Sequence, residues 1–142
     1  MPILNYTTTV TVAKTVGEIQ EMLARAGAKR IMIDYEAGQP AAITFEVAGE
    51  AYMLPCRAEG VYQRISANKA IKPYLRTREQ ANRVAWRIVK DWTEAQLAII
   101  EAGLVTLDEV MLPYAMIWPG RSMYQIYTEQ RADRLLGDDK GR

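Results

Sequence analysis

The stretch from Thr77 to Gly103 constrains the fold more than any other part of the chain. Thr77-Arg78-Glu79-Gln80 has the form of a capping box, with the Thr77 hydroxyl placed to accept an early helical N–H and Gln80 able to reach back. Gly103 follows the last periodic residue and can take the left-handed conformation that closes a helix. The interval predicts a helix from Arg78 to Ala102, roughly 37 Å long at the standard rise. Ala81, Ala85, Ile88, Trp92, Ala95, Ile99 and Ala102 recur at spacings of four and three and form one stripe, in which Trp92 is expected to be buried. Val84, Trp86, Val89, Leu97 and Ile100 widen that stripe past half the circumference. Arg83, Arg87, Lys90, Asp91, Glu94 and Glu101 are left on a narrow polar arc. So broadly apolar a helix needs more than one neighbour: a sheet on one side, and later helices or a second subunit on another.

The preceding residues supply the sheet. Asn5 to Lys14 alternates β-branched and polar residues and reads as a strand. Thr15-Val16-Gly17-Glu18 reads as a second capping box, opening a short amphipathic helix that Gly27 stops. Ile31, Ile33 and Tyr35 alternate with polar neighbours, as do Ile43, Phe45 and Val47 after the turn residues Ala37-Gly38-Gln39-Pro40. A further strand, Glu50 to Leu54, returns through Ala48-Gly49 and ends at Pro55. The expected fold is α+β: a β-α-β-β-β antiparallel sheet packed against one long helix and followed by short C-terminal helices. Of these, Thr106-Leu107-Asp108-Glu109 starts one that Pro113 ends, and Ser122-Met123-Tyr124-Gln125 opens the last, after a turn at Trp118-Pro119-Gly120. Residues 1–136 form one expected domain, and 137–142, with no apolar residue, a flexible tail.

Chemistry is narrowed by what the chain lacks. There is no histidine, which removes His-based triads, Cys–His pairs and imidazole metal sites. The single cysteine, Cys56, has no local base and reads as a packed thiol near a strand end. No Walker pattern, dinucleotide fingerprint or zinc spacing occurs, so no cofactor and no metal is expected. Asp34 and Glu46 fall on consecutive predicted strands, as in nucleases with an acidic hairpin, but Ala48 stands where that pattern needs lysine. Asp91 and Glu94 lie three apart on the long helix, with Arg87 and Lys90 four residues before them to pair with them. An enzyme is therefore the least favoured class. The apolar run from Val110 to Trp118 is too short to span a bilayer and is broken by Pro113. With no leader pattern, the expected location is the cytosol.

Charge points toward a partner. Net charge is +1, yet residues 1–56, 57–90 and 91–142 carry −2, +7 and −4. The middle block combines nine cations with Tyr62, Tyr74 and Trp86, so phosphate neutralisation and base stacking can share one surface. Arg76, Arg83 and Arg87 are the expected phosphate contacts, and Tyr74 and Trp86 the expected stacking residues. The favoured function is a non-enzymatic module that binds single- or double-stranded nucleic acid. The alternative is a homo-oligomeric protein-interaction or inhibitory module that uses the Met- and aromatic-rich run Val110 to Trp118. The two part on whether the cations from Arg57 to Lys90 stand free or are consumed by internal pairs.

Three pieces, Lys14-Thr15-Val16-Gly17-Glu18-Ile19, Gly27-Ala28 and Glu101-Ala102-Gly103-Leu104-Val105-Thr106-Leu107-Asp108-Glu109, resemble a group of small uncharacterised proteins encoded by bacteriophages and prophages. The resemblance runs over most of the chain. It implies a phage or mobile-element setting and assigns no activity and no residue role.

Overall fold

The long helix is present as predicted. In the computed structural model, which describes residues 2–118 and 120–140, it spans Arg78–Glu101. We number it α3, after α1 (Val12–Arg25) and α2 (Glu59–Ala67). Thr77 Oγ1 accepts the Gln80 N–H at 3.1 Å, and Gly103, at φ +77°, closes the other end.

Three strands, β1 (Arg30–Glu36), β2 (Gln39–Val47) and β3 (Glu50–Pro55), form an antiparallel sheet with β2 in the centre. Both hairpins turn on two residues, Ala37-Gly38 and Ala48-Gly49, all at positive φ, which is the turn whose twist matches paired strands. Pro40 is tolerated in the central strand because the register slips between Asp34 and Tyr35 and leaves Ala41 as an extra residue. The Ala41 carbonyl accepts the Cys56 N–H instead, at 2.8 Å.

One face of the sheet carries Ile43, Phe45, Tyr52 and Leu54 into a core closed by Val16, Ile19 and Leu23 of α1 and Trp86 of α3. Phe45 and Tyr52 are opposite each other in the register and stack at 5.4 Å. A second, smaller core lies on another side of α3, where Ala81 meets Ile65 of α2 and Ile71 of the following connection. The long helix thus has two coverings at its N-terminal half, as its apolar breadth requires. Its buried residues are Gln80, Ala81, Val84, Ala85, Trp86 and Thr93; beyond Thr93 the apolar residues Leu97, Ile99 and Ile100 are only partly buried. Trp92, expected to be buried, is only partly so: it packs on the margin of the core, edge-on to Tyr114 at 5.7 Å. Ala95 and Ala102 of the predicted stripe are exposed.

The amino-terminal strand predicted over residues 5–14 is not formed. Thr11 caps α1, its hydroxyl accepting the Lys14 N–H, so the helix begins four residues before the predicted box. Thr15 is therefore an interior helical residue and fully buried. The segment before Thr11 finds its backbone partners in a side chain rather than a neighbouring strand. The Gln80 amide donates to the carbonyls of both Tyr6 and Thr8 at 2.9 Å, and Asn5 donates to Asp91 at 2.9 Å. The sheet of the main core accordingly has three strands.

Beyond α3, Thr106 and Glu109 make the reciprocal capping box of α4 (Leu107–Met111), which passes into a 3-10 turn at Pro113. Strands β4 (Met116–Trp118) and β5 (Arg121–Ser122) pair with each other, and an isolated Tyr52–Ala115 bridge ties this hairpin to β3. The turn predicted at Trp118-Pro119-Gly120 includes Pro119, which lies outside the described residues. Ser122 and Gln125 cap each other reciprocally to open α5 (Met123–Lys140). Residues 137–142, expected as a tail, lie partly in this helix and partly outside the described residues. No described helix is long and apolar enough to cross a membrane.

Candidate nucleic-acid interface

The basic block divides into two parts with different fates. Along α3 its cations are engaged. Arg83 donates to Gln80 Oε1 at 2.9 Å and to Glu79 at 2.8 Å. Arg87 reaches across to α1, 2.8 Å from Glu18 and 3.4 Å from the Thr15 hydroxyl. Lys90 pairs with Glu94. Part of the arc that looks solvated on a helical wheel instead faces α1, which brings Glu18 opposite Arg87 and leaves both side chains largely covered. Arg83 and Arg87 are thus structural cations, a correction to their expected role as phosphate contacts.

Trp86 is corrected as well. Its ring is 2% exposed in the main core, and its Nε1–H donates to the Pro40 carbonyl at 3.2 Å. A ring so enclosed offers no face to a base. The reading of Trp86 as a stacking residue rests on its place among the cations of the basic block, whereas the helical wheel already sets it on the widened apolar stripe. The sheet covers that widened side of the helix, as its apolar breadth requires.

From α2 to the start of α3 the arrangement reverses. Ile65 and Ile71, 1% and 3% exposed, anchor the connection against Ala81, with Leu75 and the amino-terminal Ile3 and Tyr6 packed beside them. Asn68 shapes the turn between the anchors: its side chain accepts the Ala70 N–H at 3.0 Å and its carbonyl the Ile71 N–H at 3.1 Å. Lys72 is extended before Pro73, which starts a single 3-10 turn, Pro73–Leu75. With the aliphatic residues turned inward, Arg64, Lys69, Lys72 and Tyr74 are exposed, Tyr74 to 69%, and Arg76 is partly so. None of these four cations has an ion pair among the described residues. At the end of the connection Arg78 is held 2.7 Å from Glu59 and 4.2 Å over the Tyr62 ring. Of the five residues named from the sequence, Tyr74 and Arg76 belong to this surface, while Arg64, Lys69 and Lys72 join it. The signal for those three was the absence of any carboxylate between Gly60 and Arg78.

The remaining chemical candidates are placed apart. Glu46 stands opposite Arg30 in the β1–β2 ladder and Asp34 opposite Ala42, so the two carboxylates do not meet. Asp91 accepts from Asn5, and Glu94 from Lys90. Among the described residues no group of three or more acidic or cysteine side chains could hold a metal ion. Burial pushes the Cys56 thiol up to about 12, so near neutral pH it is protonated and a poor nucleophile. The run Val110 to Trp118 is split: Met111 and Ala115 enter the core, while Leu112 and Ile117 are about half exposed.

No protein-family model, curated protein or solved structure matches the chain.

Proposed function

We propose that this protein is a non-enzymatic nucleic-acid-associated module, in a phage or mobile-element setting, that holds the phosphate backbone on the connection between α2 and α3. The observation that carries the reading is the stretch from Gly60 to Arg78: five cations, no carboxylate, an anchored aliphatic underside, and four of those cations with no ion pair among the described residues. Arg64, Lys69, Lys72 and Arg76 supply charge, and Tyr74 supplies an exposed ring for an unpaired base. Binding of labelled single- and double-stranded oligonucleotides across a salt series tests this. Lys69→Ala, Lys72→Ala and Arg76→Ala together are expected to weaken binding to any sequence and to flatten the salt slope by about 0.7 units per lost single-strand phosphate contact. Failure of the unmodified protein to bind DNA or RNA at about 50 mM salt, where phosphate contacts are strong, removes the reading.

A second reading, a homo-oligomeric interaction module, is favoured by a separate observation. The last two turns of α3 carry no buried residue and most of α5 is exposed; Leu135 and Leu136 of α5, and Leu104 just after α3, are each more than 60% exposed. The two readings are compatible, because the cationic connection and the uncovered helices are built from different segments.

A further inference from the structure

Two surfaces of the chain are incomplete in complementary ways. The first is a groove of about 780 Å³ between α1 and the second half of α3. Met22, Leu97 and Ile100 give it an apolar lining, and four carboxylates outnumber two cations, Arg25 and Lys90, along it. Glu18 is taken by Arg87 and Glu94 by Lys90. Glu21 and Glu101 have no ion pair among the described residues.

The second surface is α5. Its first turn is seated, with Met123 packed on the core, but every residue from Glu129 to Gly137 is exposed. So short a free helical segment is marginal in water without packing, because nucleation is costly and few hydrogen bonds repay it. Tyr127, Arg131 and Leu135 follow one another at intervals of four, with Arg134 beside them, on one stripe. Glu129 is consumed by Arg121, whereas Arg131 and Arg134 have no ion pair among the described residues.

We propose that α5 of one chain lies in the α1–α3 groove of a second copy, Leu135 against the apolar lining and Arg131 and Arg134 against Glu21 and Glu101. The inference rests on the homo-oligomer reading and names its contact. A second copy is the occupant because two cations of α5 and two carboxylates of the groove that have no ion pair among the described residues are carried by the same chain. A two-fold axis then satisfies both surfaces at once and makes the contact twice. That duplication matters, since a stable interface buries at least about 1,200 Å² in total.

Light scattering after size exclusion at tens of micromolar is expected to return twice the chain mass of 16.1 kDa. Arg131→Glu with Arg134→Glu, and separately Glu21→Arg with Glu101→Arg, are each expected to give monomers, because like charges then face each other. Mixing the two variants restores opposite charges at both contacts, and a one-to-one heterodimer is expected. All four residues are exposed, and unchanged far-ultraviolet circular dichroism verifies folding; Leu135→Asp is an independent variant with the same expected loss. If the unmodified chain is a monomer, both the inference and the homo-oligomer reading fall. If it is a dimer that survives Arg131→Glu with Arg134→Glu, or if the mixed variants do not associate, the inference alone falls.

Discussion

Trp86 and Trp92 lie six residues apart on one helix and differ in what surrounds them. Trp86 is enclosed between the sheet and α1 and spends its only donor on the Pro40 carbonyl. Trp92 keeps one side open beside Tyr114. Trp86→Ala is therefore expected to destabilise the fold by about 3–5 kcal/mol, the range for truncating a buried aromatic, and Trp92→Ala by distinctly less. Denaturant melts that rank the two the other way round would contradict the placement of the core. Tyr52 gives a second prediction. Burial and then its 2.6 Å hydrogen bond to Asp108 push its hydroxyl from the ordinary value near 10 to about 12. Folding thus favours the protonated phenol. The unfolded chain releases the proton first as pH rises, so this contribution is intact below pH 10 and is lost between about pH 10 and 12. Tyr52→Phe is expected to cost about 1–2 kcal/mol near neutral pH and to make the alkaline loss of stability shallower over that window. Identical alkaline slopes for the two proteins would exclude Tyr52 as a source of the loss.

At the scale of elements, most local signals are legible in the sequence, although the Thr15 box is not the start of α1, which Thr11 caps instead. The Thr77 and Thr106 caps, the Ala-Gly hairpin turns and the stop at Pro113 each depend on a few adjacent residues, and each stands where the sequence places it. The amino-terminal segment failed for a non-local reason. Its alternating threonines suit a strand, but a strand needs an edge to pair with, and Gln80, more than 70 residues away, supplies two donors to that backbone instead. A helical wheel gives the period of burial and not its extent, so it places Ala95 and Ala102 inside; Trp86 it places on the apolar side, where the structure buries it, and the stacking role follows only from the neighbouring charges. The charge block was legible as charge. Which cations are spent depended on Glu18, 69 residues from Arg87, and no spacing rule joins them.

For the whole molecule, packing is concentrated at one end of α3, where the sheet, α1, α2 and the amino-terminal segment converge. The other end meets α1 along the groove and α4 after a short connection, and buries no residue beyond Thr93. This lopsided support implies that the chain does not open uniformly in time. Amides of the supported turns, from about residue 84 to 93, are expected to exchange with solvent only when the whole fold opens, and those from 97 to 101 through local fraying. In the Arg131→Glu, Arg134→Glu variant, expected to be a monomer, protection along this single continuous helix is expected to fall by about 100-fold or more between its two halves. In an α5-exchanged dimer the step should flatten, because the far half then opens only after dissociation. Equal protection along α3 in the monomer would show that the helix is held as one unit, and that its uncovered end needs no partner to stay formed.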